Sequence, residues 1–188
     1  MIAYLHGFNS SPQSHKAKLL GEYLARRGLA ASYGCPALPP LASEAISVIE
    51  ANLPAGEVCF VGSSLGGFYA TYLAEARGAR AVLINPAIEP HVGLRAYLGP
   101  QRNLYTGEAY ELTENHLREW EKLVAPRITP SRYLLLVETG DEVLDYKQAV
   151  RRYSGCEQVI VEGGDHSLQS FPRYLARIVE FAGHAALV

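Results

Sequence analysis

The residues Gly62-Ser63-Ser64-Leu65-Gly66 follow the apolar run Val58-Cys59-Phe60-Val61 and precede a helix-like stretch from Gly67 to Ala76. A serine at a sharp strand-to-helix turn takes a strained backbone conformation, and the residues two positions away on each side must lack bulk. Ser64 alone has glycine at both of those positions, because Ser63 would place Val61 and Leu65 there. The chemistry such a turn serves is nucleophilic attack. A serine hydroxyl is a weak nucleophile at neutral pH, so Ser64 requires a histidine base, an acid that orients the base, and N–H donors for a developing oxyanion.

Each partner is sought just after a strand, since ligands in open doubly wound sheets gather beyond the carboxyl ends of the strands. His166 meets that criterion: it follows the run Gln158 to Glu162 through Gly163-Gly164-Asp165 and precedes the last helix. For the acid, Asp141 comes directly after Tyr133 to Gly140 and is preferred, with Asp145 as the rival. Asp145 stands just before a helix starting near Tyr146, where helix capping explains an aspartate equally well. Asp165 is adjacent to His166, an awkward spacing for side-chain pairing, and Glu142 is expected to face solvent. The backbone N–H groups of Leu65, at the start of the helix after Ser64, and of Phe8, after the first strand, are the expected oxyanion donors. Gly7 lets the Phe8 loop approach, and His6, Gly7, Asn9 and Trp120 are candidate substrate contacts. His15, His91, His116 and His184 fall at helix starts, in an insertion or in the tail, and read as solvated surface.

The elements that must position these groups alternate along the chain. Strand-like runs are Ile2 to Leu5, Leu29 to Tyr33, Glu57 to Val61, Ala79 to Ile84, Tyr133 to Glu138 and Gln158 to Glu162. Helical periods lie between them, at about Lys16 to Arg27, Ser43 to Asn52, after Ser64, and about Pro172 to Ala182. The pattern is that of an α/β fold, a mainly parallel sheet with helices on both faces. It breaks at about residues 86–130, where turn-rich Leu98 to Gly107 and a polar helix over Glu114 to Leu123 predict a lid. Leu94, Tyr97, Leu98, Leu117 and Trp120 of that segment are expected to set the depth of an acyl pocket. With 188 residues, 48% hydrophobic, and no repeat or linker, one domain is expected over residues 1–188.

A net charge of −2 and the lack of any long basic run exclude a general attraction for nucleic acid or an anionic membrane. No apolar stretch approaches spanning length, and Met1-Ile2-Ala3-Tyr4-Leu5 begins on a strand with no basic segment ahead of it, so a cytoplasmic location is expected. Cys35, Cys59 and Cys156 lack zinc or redox spacing and are expected to be reduced thiols. No metal site is expected. Gly7 opens no Gly-x-Gly-x-x-Gly run and no P-loop lysine is present, which argues against a nucleotide binder.

The order Ser64, Asp141, His166, with His6-Gly7-Phe8 ahead of them, resembles the α/β-hydrolase superfamily over nearly the whole chain. Starting as this chain does, the sheet would have the order 2-1-3-4-5-6. More narrowly, Tyr4 to Pro12, Gly62 to Ala70, Gly140 to Tyr146 and Gly163 to Ser167 are similar to the YqiA-type family of small bacterial esterases. Leu168 stands where many relatives carry phenylalanine, a difference that touches pocket lining more than chemistry. The resemblance implies cofactor-free hydrolysis of carboxylic esters or acyl thioesters, fatty acyl-CoA among them. Acyl transfer to another acceptor, peptide cleavage, and a non-catalytic ligand receptor of the same fold remain the alternatives.

Overall fold

A computed structural model describes residues 1–184. The elements run β1 (Ile2–Leu5), α1 (His15–Ala25), β2 (Tyr33–Gly34), α2 (Ala42–Ala51), β3 (Cys59–Ser63), α3 (Leu65–Arg77), β4 (Arg80–Ile84) and α4 (Pro90–Gly93). They continue with β5 (Gly99–Arg102), β6 (Ala109–Leu112), α5 (Glu114–Lys122), β7 (Tyr133–Glu138), α6 (Tyr146–Arg152), β8 (Glu157–Val161) and α7 (Leu175–Phe181). The main sheet has the order β2-β1-β3-β4-β7-β8 and every pair in it is parallel. Counted among these six strands alone, that is the order 2-1-3-4-5-6. The difference from the expected series is β5 and β6, which form a separate antiparallel hairpin pairing Gly99 with Leu112 and Arg102 with Ala109.

Period-two alternation sends each strand's side chains to opposite faces, and helices bury both. Cys59 and Val61 of β3 join Ile2, Tyr4 and the inner stripes of α1 (Ala17, Leu20, Leu24) and α7 (Leu175, Ile178, Val179). Phe60 faces the other way, with Ala3 and Leu5, against Ala45 and Ile49 of α2 and Phe68 and Leu73 of α3. Gly78, at φ +67°, closes α3 in the left-handed cap conformation that glycine adopts without a Cβ penalty.

Two expectations are corrected. The second strand covers only Tyr33–Gly34, and Ala30–Ser32 is a 3-10 turn. The Leu29 N–H is used by the end of α1, donating to the Leu24 carbonyl at 2.9 Å, so the chain cannot enter the sheet there. The segment Leu98 to Gly107 contains the first hairpin strand, whose Gly-Pro-Gln-Arg sequence carries no apolar alternation to announce it.

Register is what assembles the site. Leu5 pairs with Gly62, Ser63 with Ile84, and Ile84 with Leu136. The carboxyl ends of β1, β3, β4 and β7 are thereby brought level, and the residues that follow them share one rim of the sheet.

Candidate functional site

Ser64 lies between the last residue of β3 and the first of α3, at φ 54° and ψ −122°. Holding a non-glycine residue there costs about 1–3 kcal/mol, so the surroundings must enforce it. The glycines show how. A Cβ on Gly62 would overlap the Gly66 carbonyl, one on Gly66 would overlap the Leu5 carbonyl, and one on Gly67 would lie 2.6 Å from Pro86 Cβ. The turn is also tied across the sheet: the Ser64 N–H donates to Ile84 O at 3.0 Å, and Ser64 O accepts from Ala87 N at 3.0 Å.

The Ser64 hydroxyl is 3.1 Å from His166 Nε2. His166 Nδ1 lies 3.0 and 2.9 Å from the two carboxylate oxygens of Asp141. Since Asp141 is only an acceptor when ionised, Nδ1 carries the proton and Nε2 is left to accept from Ser64. The Asp141 side chain is 1% exposed and its Oδ1 also accepts the N–H groups of Val143 (2.9 Å) and Leu144 (2.8 Å). Asp145 is elsewhere, capping α6 through the Lys147 N–H at 3.0 Å. Asp165 accepts from the Ser167 N–H and Gln169 Nε2, and Glu142 Oε2 accepts the His166 backbone N–H at 2.9 Å.

Leu65 opens α3, where the first N–H groups of a helix have no intrahelical partner. Gly7 packs so closely on the turn that a Cβ there would sit 3.2 Å from Ser64 Cβ. That approach brings the Phe8 segment to the mouth of a cleft of about 780 Å³ lined by Ser64, His166, Gly7, Phe8 and Asn9. Leu168, at φ 54°, and Phe171 form part of its apolar wall.

Other candidates are placed differently. Asn9 sits at φ 51° with its carboxamide committed to the hairpin, donating to Gln101 Oε1 at 3.1 Å and accepting from Tyr110 Oη at 2.8 Å. His6 is buried and does not line the cleft: its Nε2 accepts the Leu38 N–H at 3.0 Å and its Nδ1 lies 3.1 Å from Gly7 O. Burial pushes this imidazole below its ordinary value, which suits a neutral ring bracing the loop after β1. Trp120 is fully buried and donates from Nε1 to Tyr69 Oη at 2.7 Å, so it is a core residue and not a wall of the cleft. Leu94, Tyr97, Leu98 and Leu117 do not line the cleft either; the hairpin residues Leu104 and Tyr105 reach it instead.

Three polar residues near the site were not singled out from the sequence. Lys16 lines the cleft and donates to Ser167 O at 2.7 Å; burial pushes its ammonium down to about 8, against the pull of the Asp165, Glu138 and Asp141 carboxylates. Glu138 and Asn85 lie beneath the His166 loop. Their only signal was a polar residue closing or following an otherwise apolar strand. Among the described residues no group of three or more His, Cys, Asp or Glu side chains could hold a metal ion, and no helix is long and apolar enough to cross a membrane. The cysteines are free thiols, and burial pushes Cys35 and Cys59 up to about 12.

Solved structures share this arrangement of elements. Alpha/beta hydrolase domain-containing protein 10 from mouse is 17% identical with a TM-score of 0.73, covering 95% of this chain and 87% of its own. Monoacylglycerol lipase from Paleococcus ferrophilus is 19% identical with a TM-score of 0.68, covering 98% and 94%. Est1E from Butyrivibrio proteoclasticus is 16% identical with a TM-score of 0.65, covering 96% and 85%. At such identities the likeness carries the fold. The sequence itself matches the model of the uncharacterised protein family UPF0227 over residues 1–183. The chain therefore belongs to UPF0227, the YqiA-type family, and has the fold of the α/β-hydrolase structures it resembles.

Proposed function

We propose that the protein is a serine hydrolase of carboxylic esters or acyl thioesters, with Ser64 as nucleophile, His166 as base and Asp141 as the orienting acid. The observation that carries this reading is the unbroken hydrogen-bonded series from Ser64 Oγ through His166 to Asp141 at a strained strand-to-helix turn.

In the proposed reaction Ser64 Oγ attacks the acyl carbonyl carbon while its proton passes to His166 Nε2. The carbonyl oxygen becomes an oxyanion held by the N–H groups of Leu65 and Phe8, a contribution worth about 3 kcal/mol per donor in serine hydrolases. Asp141 stabilises the imidazolium without taking its proton. The tetrahedral adduct collapses, the C–O or C–S bond to the leaving group breaks, and that group takes the proton from His166. Water then enters, gives a proton to His166, and adds to the acyl-enzyme; collapse returns the proton to Ser64 Oγ and releases the carboxylic acid. The residues involved supply every proton transfer, so the scheme calls on no cofactor. The cleft's mixed lining, apolar Leu168 and Phe171 together with polar Ser10 and Ser167, suits an acyl group joined to a polar leaving group.

The test is covalent labelling of the purified protein with a fluorophosphonate, followed by peptide mapping. Labelling at Ser64 that vanishes in Ser64→Ala is the expected result. A folded wild-type protein that resists the probe, or Ser64→Ala with undiminished esterase activity, would overturn the assignment.

A further inference from the structure

Glu138 and Asn85 are 1% and 2% exposed, at or just past the ends of the adjacent strands β7 and β4. Burying a carboxylate is unfavourable unless hydrogen bonds replace its hydration, and here the donors all come from one place. Glu138 accepts the backbone N–H groups of Asp165 (2.9 Å), Gln169 (3.0 Å) and Ser170 (2.8 Å). Asn85 Nδ2 donates to the carbonyls of Asp165 and His166, both at 3.1 Å, and its Oδ1 accepts the Glu138 N–H at 3.1 Å. The backbone on both sides of His166, and the carbonyl of His166 itself, is therefore anchored to two strand ends.

The loop is shaped to receive the carboxylate. Gly164 adopts φ +69°, and a Cβ there would overlap the Glu138 carboxylate; a Cβ on Gly140 would overlap the Gly164 carbonyl. Burial alone would raise the Glu138 carboxyl, but hydrogen bonds from Ser170, Asp165 and Gln169 outweigh it and hold the group below its ordinary value. It is an ionised acceptor at neutral pH. Glu142 and Lys16 also hold this segment, through the His166 N–H and the Ser167 carbonyl.

We propose that Glu138 and Asn85 are positioning residues, a buried clamp that fixes the His166 imidazole between Ser64 and Asp141. The proposal rests on Ser64 and His166 acting as nucleophile and base. Neither clamp residue is among those lining the cleft, so their influence passes through His166. Glu138→Gln keeps the size of the side chain but replaces one acceptor oxygen with an NH₂ group facing backbone donors.

The experiment is a double-mutant cycle read by the rate of fluorophosphonate labelling at Ser64, on wild type, Glu138→Gln, His166→Ala and the double variant. Glu138→Gln should label about 10- to 100-fold more slowly, the range expected when a reacting group is displaced by about 1 Å. Its kcat for an acyl ester should fall while KM stays within about two-fold. In the His166→Ala background the same substitution should change nothing further. Equal losses in both backgrounds would mean a general structural role and overturn the clamp, as would an unchanged Glu138→Gln. If Glu138→Gln does not fold, Gly164→Ala breaks the same contact from the loop side and must show the same dependence on His166. Wild type that is unlabelled, or His166→Ala that labels as fast as wild type, would overturn the underlying assignment. Labelled wild type with slow His166→Ala but additive Glu138→Gln overturns only the clamp.

Discussion

Two aspartates four residues apart illustrate what a residue does by virtue of its partners. Asp141 accepts from His166 Nδ1 and from two backbone N–H groups, whereas among the described residues Asp145 accepts only the Lys147 N–H at the start of α6. Asp141→Asn would turn an amide NH₂ toward Nδ1 or favour the tautomer with Nε2 protonated, and Nε2 could not then accept from Ser64. A fall in kcat of about 10⁴-fold with retained fold is expected. Asp145→Asn should stay active and lose no more than a few tenths of a kcal/mol, because asparagine caps helices about as well as aspartate. Ester hydrolysis and thermal melting of the two variants test this, and the reverse pattern would exchange the roles. Ser64 was legible because sterics act on its sequence neighbours Gly62 and Gly66. Glu138 and Asn85 were not, because their partners are backbone groups remote in sequence, and no spacing rule relates a strand end to a loop that far away.

At the scale of elements, the β5–β6 hairpin is bound to the loop after β1. Asn9 carries most of the connection: its side chain meets Gln101 and Tyr110, and its carbonyl accepts the Leu104 N–H at 3.1 Å. Asn103 Nδ2 adds a bond to Ser10 O at 2.8 Å. Asn9 follows Phe8 directly and sits at positive φ, so the hairpin helps determine where the Phe8 N–H points. Burial pushes the Tyr110 phenol up to about 12, which keeps it a donor across the working pH range. Tyr110→Phe removes that donor and leaves the Asn9 oxygen short of a partner. A net hydrogen bond of about 1 kcal/mol, felt by the proposed oxyanion donor, corresponds to a kcat lower by about five-fold. Steady-state kinetics, with hydrogen exchange of residues 7–11, would show it; unchanged kcat and exchange would mean that the hairpin only covers the loop. This hairpin was not legible because its strands are only four residues long and the first, Gly-Pro-Gln-Arg, carries no apolar alternation; it is defined by what it touches.

At the scale of the whole molecule, the excursion between β4 and β7 is part of the core that covers one face of the sheet. An amphipathic stripe with Leu117 and Trp120 at helical spacing was legible, but periodicity reports only that a face is apolar and says nothing of what lies against it. Here the stripe of α5 packs into the cluster holding Phe60, Phe68, Tyr69 and Ala45, and Trp120 Nε1 donates to Tyr69 Oη. Phe8 packs edge-on against the indole, with ring centroids 6.4 Å apart. Trp120→Ala should therefore act on stability first, costing about 3–5 kcal/mol from the cavity left in a core that cannot fully collapse. Such a loss is a large share of the ~5–15 kcal/mol that holds an ordinary domain together. Urea unfolding followed by both tyrosine fluorescence and circular dichroism should give one coincident transition at a lower midpoint, because sheet and excursion share that core. A lid that merely rests on the sheet predicts something else: an unchanged main transition, a separate early loss of α5, and an effect confined to substrate choice. Trp120→Phe refines the comparison, since phenylalanine restores most of the volume but not the hydrogen bond, and should recover most of the stability.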